Sequence, residues 1–444
     1  MAQRTRIFAA TAATAAVSML VAACGGGTTG GAEDDPTKDV TITFWHGWSA
    51  PSEVEAIQQN VDAFEAENKN ITVKVVGNIT DDKINQALRA GGASAPDVVS
   101  SFTTDNVGQF CTSNVFVDLA PFLEKSDIDP EETFPAPLLD YTQFEGERCA
   151  LPLLSDAYGL YYNKDAFKAA GIEAPPKTLS EFEKAALALT KAKGDSFSQL
   201  GFMPNFNGYE TTFAHYAAMW SPSYFEEDGK SSAATDPAFA QMLEWQKSMV
   251  EALGGFSKLE KYRSTFGDEF GPKNPFMTGQ VAMAMDGEWR AGMIDDAGVD
   301  FEYGVAPFPV PDDQADTYGK GYLSGTIIGI AGKSEKQNAA WELVKYLTAD
   351  TEAVVSFSNA IHNIPSTKEA LESPELNKTP AMEAFIKIAQ NPHSNTTPAS
   401  PNGGAYQITL QDLGFAHESG KLKDLQAGLE KAAEQIDTDT EQAQ

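Results

Sequence analysis

The side chains best suited to chemistry in this sequence are carboxylates that stand beside aromatic rings. The segment Asp286-Gly-Glu-Trp-Arg places two carboxylates, an indole and a guanidinium in one short run, Asp105 lies in the polar segment 103–106, and Asp156 lies two residues before a tyrosine. Two carboxylates about 5–10 Å apart can cleave a glycosidic bond, whereas flat aromatic faces with fixed hydrogen-bonding partners can hold a polar solute unchanged. The five histidines lack zinc-ligand spacing, and no nucleophile arrangement such as Ser-His-Asp or Cys-His is evident. Binding is therefore favoured over catalysis.

The elements that must position these side chains begin with a predicted β-α-β-α-β unit. Apolar residues alternate over 40–44 and 71–75, a short buried strand is predicted at 96–99, and helical spacing marks 54–64 and 82–90. This order predicts an α/β fold with a parallel, doubly wound sheet. Ligands meet such sheets at the loops beyond the strand C-termini. We therefore expect the loops 45–49 and 103–106 to share one rim.

Further elements are predicted along the rest of the chain. A capped helix starts at Thr178, and helices are predicted over 241–253 and 338–348. Strands are predicted over 279–289 and 322–332. We find no internal repeat.

Composition and charge restrict the possible partners. The 444 residues include 42% hydrophobic and 10% aromatic side chains, which is typical of a globular protein with two or three domains. The formal net charge of −31 argues against nucleic acid and against an anionic membrane surface as partners.

The N-terminus has the pattern of an export signal. Arg4 and Arg6 precede an uncharged run that ends at Ala23, and Val21-Ala-Ala-Cys resembles a bacterial lipobox. Residues 1–23 are therefore interpreted as a lipoprotein signal peptide, with Cys24 acylated by chains such as palmitate, and residues 24–38 as a flexible linker. The alternative is an ordinary secretory signal with a coincidental cysteine. The expected location is the extracytoplasmic face of the bacterial cell membrane, with the lipid as the sole membrane contact.

Two cysteines remain once Cys24 is assigned to lipid. Cys111 and Cys149 form an even pair in an oxidising compartment, which favours a disulfide. The alternative is two buried free thiols. A bridge would stabilise the fold by roughly 3–4 kcal/mol.

Four motifs in a fixed order resemble a known family. They are Phe44-Trp-His-Gly-Trp-Ser, Ala95-Pro-Asp-Val-Val, Gly159-Leu-Tyr-Tyr-Asn-Lys-Asp after Leu151-Pro, and Gly287-Glu-Trp after Phe276-Met-Thr-Gly-Gln-Val-Ala-Met. From about Thr41 onward the chain is similar to the family 1 extracellular solute-binding proteins, the maltose-binding-protein-like sugar receptors of ABC importers. The resemblance implies a two-lobed periplasmic-binding-protein-like fold, with a three-crossing hinge and a sugar held in the interlobe cleft.

The resemblance also implies where the chain passes between the lobes. Crossings are expected near 156–160, 324–327 and 365–371. The expected N-lobe is 39–156 and 327–365, and the expected C-lobe is 157–326 and 366–444. The hydrophobic pattern alone does not predict this interleaving.

Carried onto this sequence, the family pattern names candidate ligand-binding residues. Trp289 is expected to stack on a sugar face, Tyr406 to supply a second aromatic cover beside Gly404, and Asp105 and Asp156 to bind hydroxyls. Alternatively, Trp289 packs in the core, and each acid caps a helix or serves the hinge. The remaining candidates are His46, Trp48, Ser49, Asn106, Asn205, Asn207, Tyr209, Glu288, Arg290, Ser324 and Gly325.

The leading hypothesis is a monomeric, lipid-anchored receptor that needs no cofactor. It captures a mono-, di- or short oligosaccharide and delivers it to the permease of an ABC importer. The last lobe segment lacks an obvious row of aromatics, which favours a small ligand over a long oligosaccharide. A second hypothesis keeps the receptor but replaces the sugar by a polyol phosphate diester or another non-sugar solute, with Arg290 or Lys320 facing the cleft. An exported glycan hydrolase is the third.

Overall fold

The computed structural model describes residues 38–49, 51–92, 95–206 and 208–443, so the predicted signal peptide, most of the linker and Cys24 lie outside the described residues. The strands are β1 (Val40–Trp45), β2 (Ile71–Val76), β3 (Val98–Ser101), β4 (Leu151–Asn163), β5 (Lys191–Lys193), β6 (Ser196–Gln199), β7 (Met283–Gly287), β8 (Tyr303–Ala306), β9 (Leu323–Ile330) and β10 (Ile364–Pro365). The described residues also include two 3₁₀ turns, Thr104–Asn106 and Asp312–Thr317.

The helices of the described residues occupy much of the remaining chain. They are α1 (Pro51–Glu67), α2 (Asp81–Ala90), α3 (Val107–Thr112), α4 (Ala120–Lys125), α5 (Pro130–Thr133), α6 (Ala136–Asp140), α7 (Lys164–Ala169), α8 (Leu179–Leu189), α9 (Phe213–Trp220), α10 (Pro237–Ala252), α11 (Phe256–Arg263), α12 (Trp289–Ala297), α13 (Gln337–Ala349), α14 (Thr351–Ile361), α15 (Lys368–Glu372), α16 (Pro380–Ala389), α17 (Ala405–Glu418) and α18 (Leu425–Ala443). Within the ranges that the structure describes, none of these helices has the length and apolar character needed to cross a membrane.

The first lobe is built on the predicted parallel unit. β1 pairs in parallel with both β2 and β3, and the order β9-β3-β1-β2 continues the sheet with β9 antiparallel to β3. Ile42 and Phe44 of β1 are buried while their neighbours are more exposed, as the alternation in the sequence predicts. The predicted β-α-β-α-β order is confirmed.

Strand β4 connects the two lobes. Its first half, from Leu151 to Ala157, pairs with β9, and its second half, from Tyr158 to Asn163, pairs with β7 and β8 of the second lobe. β10 pairs antiparallel with β4 through Ile364 and Ser155. Three segments therefore lie side by side where the lobes meet, which is the three-crossing hinge of a two-lobed binding-protein fold.

Separate hydrophobic cores stabilise the two lobes. The largest cluster fills the second lobe and includes Phe182, Tyr216 and Phe385, all inaccessible to solvent. The predicted helix over 241–253 in fact begins earlier, at Pro237, because Asp236 accepts a hydrogen bond from Ala238 N and proline suits the first helical position.

A disulfide joins Cys111 of α3 to Cys149, two residues before β4, with 5.5 Å between their Cα atoms. The predicted disulfide is confirmed. It lies in a buried cluster of the first lobe with Phe110, Phe116 and Tyr141. The bridge therefore fixes the helix that follows the rim loop to the segment that leads into the hinge.

Candidate ligand-binding site

The rim of the first lobe is the loop that follows β3. Ser101 and Thr103 both donate hydrogen bonds to the Asp81 carboxylate at the start of α2, over 2.7 and 2.8 Å, and these bonds fix the loop. Between them Phe102 points outward with 47% of its surface exposed. Its ring meets Trp48 edge-on with 5.5 Å between centroids. An apolar ring is thus presented at the edge of the lobe.

Asp105 forms a contact between this rim and the second lobe. Its Oδ1 accepts a hydrogen bond from Thr397 Oγ1 over 2.9 Å, and Thr397 also bonds the hydroxyl of Tyr322. A Cβ atom on Gly404 would lie 3.3 Å from Asp105 Oδ2, so the absence of a side chain there permits the close approach. Burial raises the pKa of Asp105 to about 6. The structure brings together Asp105 and Gly404, two of the predicted residues.

Four rings form an aromatic platform on the second lobe, which we define as Tyr158, His215, Trp289 and Tyr322. Tyr158 lies 4.1 Å from His215, 5.3 Å from Trp289 and 5.4 Å from Tyr322 between ring centroids. Trp289 and Tyr158 are half-buried, and the Trp289 ring covers Gly287, where a Cβ would come within 2.3 Å. Trp289 is therefore not enclosed in the core and retains exposed ring surface.

A hinge carboxyl pair, Asp156 and Glu288, lies next to the platform. Asn363 Nδ2 donates to Asp156 Oδ1 over 2.5 Å and to Glu288 Oε1 over 2.9 Å, and Ala157 N donates to Glu288 Oε2 over 3.0 Å. The two carboxyls also hydrogen-bond each other. Burial raises the pKa of Asp156 to about 6 and that of Glu288 well above its ordinary value. An ionised carboxylate can only accept hydrogen bonds, so one proton is shared within the pair.

A second group of carboxyls surrounds Arg290. Its Nε donates to Asp286 Oδ2 over 2.6 Å, and both side chains are buried. Glu210 and Glu269 hydrogen-bond each other beside this ion pair, and burial raises the pKa of both carboxyls. The guanidinium also lies 5.7 Å from the centre of the exposed Phe270 ring. Arg290 is 1% exposed and ion-paired with Asp286, so the prediction that it faces the cleft is wrong.

The prediction that His46 or Trp48 faces the cleft is also wrong. His46 is fully buried between the rings of Phe44 and Trp48, and its burial lowers its pKa to about 4. Trp48 packs edge-on against Phe102 and Phe357. Ser49 is exposed. The loop is too apolar to leave its rings in water, so they extend the core of the first lobe.

Three candidates of the second lobe serve its internal structure. Tyr406 is 1% exposed, donates to Pro398 O and packs against Tyr224 and Phe225, so it cannot cover a ligand. Asn205 is fully buried and donates to Glu260. Tyr209 is half-buried, donates to Gly267 O and stacks on Phe266. Asn207 lies outside the described residues.

The remaining candidates divide between hinge and rim. Gly325 is a packing residue, because a Cβ there would come within 2.3 Å of Leu154 O. Ser324 is half-buried and hydrogen-bonds Tyr158. Asn106 is half-buried next to Gly403, whose added Cβ would lie 2.9 Å from Asn106 Oδ1.

Several residues of the site were missed by sequence reasoning. The signals available were weak: Phe102 lies three residues after the strand predicted at 96–99, and Tyr158 lies within the expected first crossing. Nothing in the local pattern distinguishes Asn363, His215 or Glu210, because their partners in the site, Asp156, Tyr158 and Glu269, lie far away in the chain. The missed residues are Phe102, Tyr158, Glu210, His215, Tyr322 and Asn363.

Comparison with known proteins gives a consistent result. Residues 59–384 match the family described as bacterial extracellular solute-binding protein. The maltotriose-binding protein of Pyrococcus abyssi is 23% identical over 398 residues, which cover 89% of this chain and 81% of that protein. The sn-glycerol-3-phosphate-binding periplasmic protein of Brucella abortus is 24% identical over 272 residues, 60% of this chain and 61% of that protein. The structure of CpMnBP1 with mannotriose bound superposes with a TM-score of 0.77 at 22% identity, covering 89% of this chain and 99% of that chain.

Proposed function

Since the chain belongs to the bacterial extracellular solute-binding proteins, we propose that it captures a mono-, di- or short oligosaccharide in the cleft between its lobes. Membership of this family makes the chain a binding protein and not an enzyme. We further propose that it delivers the sugar to the permease of an ABC importer. The relative named as a maltotriose-binding protein and the structural neighbour with mannotriose bound support the carbohydrate class.

One observation carries the proposal: the half-buried indole of Trp289 lies at the hinge with the half-buried carboxyl of Asp156. A sugar presents apolar C–H faces and a rim of hydroxyl donors, so it needs a flat ring and fixed acceptors. Trp289 and Tyr158 offer ring surface, Asp156 lies two residues before Tyr158 in β4, and Asp105 is linked to the platform through Thr397 and Tyr322. Phe102 offers a second ring from the opposite lobe. We assign ligand contact to Trp289, Tyr158, Asp156, Asp105 and Phe102.

We propose that the ligand acts by stabilising a closed arrangement of two lobes, 39–156 with 327–365 and 157–326 with 366–444. A ligand that touches both lobes binds the closed form better and shifts the population toward it. The contact of Asp105 with Thr397 already joins the two lobes. A micromolar sugar would contribute about −8 kcal/mol, within reach of stacked rings and several hydroxyl bonds.

We also propose that the receptor is a monomer held at the extracytoplasmic face of the membrane through lipid on Cys24. The basic start, the uncharged run and the Val21-Ala-Ala-Cys sequence support this anchor. The family match supports a location outside the cytoplasm.

A polyol phosphate diester is a weaker candidate than a neutral sugar. Its phosphate would need an uncommitted cation in the cleft. Arg290 is ion-paired with Asp286, and Lys320 Nζ donates to Ser221 Oγ over 2.7 Å with its pKa lowered to about 8 by burial. Within the described residues, neither cation proposed from the sequence is free for this role.

A thermal-shift screen over saccharides and polyol phosphates tests the proposal. A sugar present at a hundred times its Kd should stabilise the protein by about 2.7 kcal/mol and raise Tm, and calorimetry should then give a micromolar Kd. A shift with polyol phosphates alone would replace the sugar by the second ligand class. Stabilisation by neither class would overturn the proposal.

A further inference from the structure

Asn363 is the only described side chain that donates to both members of the hinge carboxyl pair. It directly precedes β10, and its backbone N donates to Ser358 O at the end of α14. The preceding residue, His362, adopts a left-handed conformation with φ of 58° and lies 3.2 Å from the position of an added Cβ on Gly292 of α12. The third crossing is thus held against the helix that begins at Trp289.

The two carboxyls come from different parts of the hinge. Asp156 belongs to β4, the first crossing, opposite Ser324 of β9, the second crossing. Glu288 follows β7 of the second lobe and immediately precedes Trp289. The amide of Asn363 therefore links the third crossing to the first and to the residue next to the platform indole.

The groups that face the pair do not neutralise it. They are the hydroxyls of Tyr141, Tyr158 and Tyr161, with Tyr322 beyond Tyr141 and Tyr158, the ion pair of Asp286 with Arg290 beyond Tyr161, and His362 next to Asn363 in the chain. The hydroxyl of Tyr141 is buried without a hydrogen-bond partner among the described residues. In the described surroundings, the shared proton, the Asn363 amide and the N–H of Ala157 that donates to Glu288 Oε2 relieve the repulsion between the two carboxyls, and Asn363 is the side chain that reaches both.

We propose that Asn363 is a positioning residue, which holds Glu288 and the adjacent Trp289 in place for the ligand only while Asp156 and Glu288 share one proton. The inference rests on the proposed sugar-binding function. When both carboxyls ionise, their repulsion moves Glu288 away from Asp156. The adjacent Trp289 indole is then no longer fixed. As pH rises, the fraction of protein that retains the proton decreases, and ligand affinity decreases in proportion to that fraction.

The test is the Kd of the sugar identified in the screen, measured by calorimetry from pH 6 to pH 9. For the unaltered protein, Kd should rise about tenfold per pH unit once the pH exceeds the upper pKa of the pair. Glu288→Gln keeps one of the two acceptor oxygens and supplies a permanent donor to Asp156, so its Kd, even if higher than that of the unaltered protein, should stay constant over this range. Asn363→Asp should bind weakly at pH 8 and regain affinity toward pH 5, where its carboxyl can donate.

A matched control is Glu418→Gln. Glu418 is another buried carboxyl, bonded to Phe206 N and Gln246 in the second lobe, and burial raises its pKa to about 7. This variant should change the pH dependence of stability while the pH profile of Kd remains that of the unaltered protein. A flat profile for the unaltered protein, or equal slopes for it and Glu288→Gln, would overturn the inference.

A ligand-free measurement separates this inference from the sugar proposal. The difference in fluorescence between the unaltered protein and Trp289→Phe reports on Trp289 and should change with pH above pH 6. The difference between Glu288→Gln and the double variant that also carries Trp289→Phe should not change over the same range. If no sugar binds but the fluorescence difference still titrates, the proposed ligand is overturned and the role of Asn363 and the carboxyl pair remains supported. If a sugar binds but the fluorescence difference does not titrate, only the inference about Asn363 and the hinge carboxyl pair is overturned.

Discussion

At the scale of single residues, the exposed fraction of an aromatic ring decides whether it can bind a ligand. Trp289 and Tyr406 both follow short glycine-containing segments and look equivalent in the sequence. Trp289 keeps exposed ring surface, whereas Tyr406 is covered because α17 packs it against Tyr224 and Phe225, nearly two hundred residues away in the chain. Residue type was therefore predictable and its burial was not, since burial depends on distant partners.

We predict that Trp289→Ala weakens sugar binding at least about a hundredfold, which corresponds to about 2.8 kcal/mol. The ring supplies the stacking face, and because it is half-buried, its loss should lower the free energy of unfolding far less than a core truncation would. Calorimetry and urea unfolding measure the two effects separately.

The control is Trp341→Phe, in α13 of the first lobe, which removes the hydrogen bond from Trp341 Nε1 to Ser126 Oγ. This variant should lower stability by about 1 kcal/mol and leave Kd unchanged. Normal binding by Trp289→Ala would show that the stacking assignment is wrong.

At the scale of elements, the short alternating strands were predictable and the long hinge strand was not. β1 and β2 show alternating burial that their sequences predict. β4 is buried along nearly its whole length, so its pattern gives no indication of where its partner changes from β9 to β7. The interleaved lobes followed from the family resemblance, because pairing over more than a hundred residues leaves no local signal.

The disulfide provides the prediction at this scale. Replacing both Cys111 and Cys149 by serine should lower the free energy of unfolding by roughly 3–4 kcal/mol, since the bridge closes an interval of 38 residues. Urea unfolding of the double variant should match that of the reduced unaltered protein. A stability unaffected by reductant would contradict the prediction.

At the scale of the whole molecule, buried acids make stability fall as pH rises. Burial raises the pKa of Asp105 and Asp156 to about 6 and that of Glu418 to about 7, above the values of the unfolded chain. The folded state thus binds more protons, so this contribution is full below pH 4 and is lost as pH rises through 6 and 7. Burial lowers the pKa of His46 and His215 to about 4. Below pH 6.5 these two histidines make stability decrease as pH falls, and above pH 6.5 they do not contribute to the pH dependence of stability.

We therefore predict that the free energy of unfolding, measured with urea, declines from pH 6 to pH 8. The net charge of −31 adds self-repulsion in the same direction. Asp105→Asn should flatten part of this decline, because it removes one of the titrating groups. Stability that increases over this interval would contradict the assignment of buried, protonated carboxyls.

The late position of β9 and β10 has a consequence for biogenesis. The first sheet contains strands from residue 40 to residue 365, so its central hydrogen bonds cannot form until most of the chain has been synthesised. With the signal peptide that we propose for residues 1–23, the nascent polypeptide would have to pass the translocon before it becomes compact. Interleaving the lobes delays that compaction, and we expect the order of strands along the gene to keep the precursor competent for secretion.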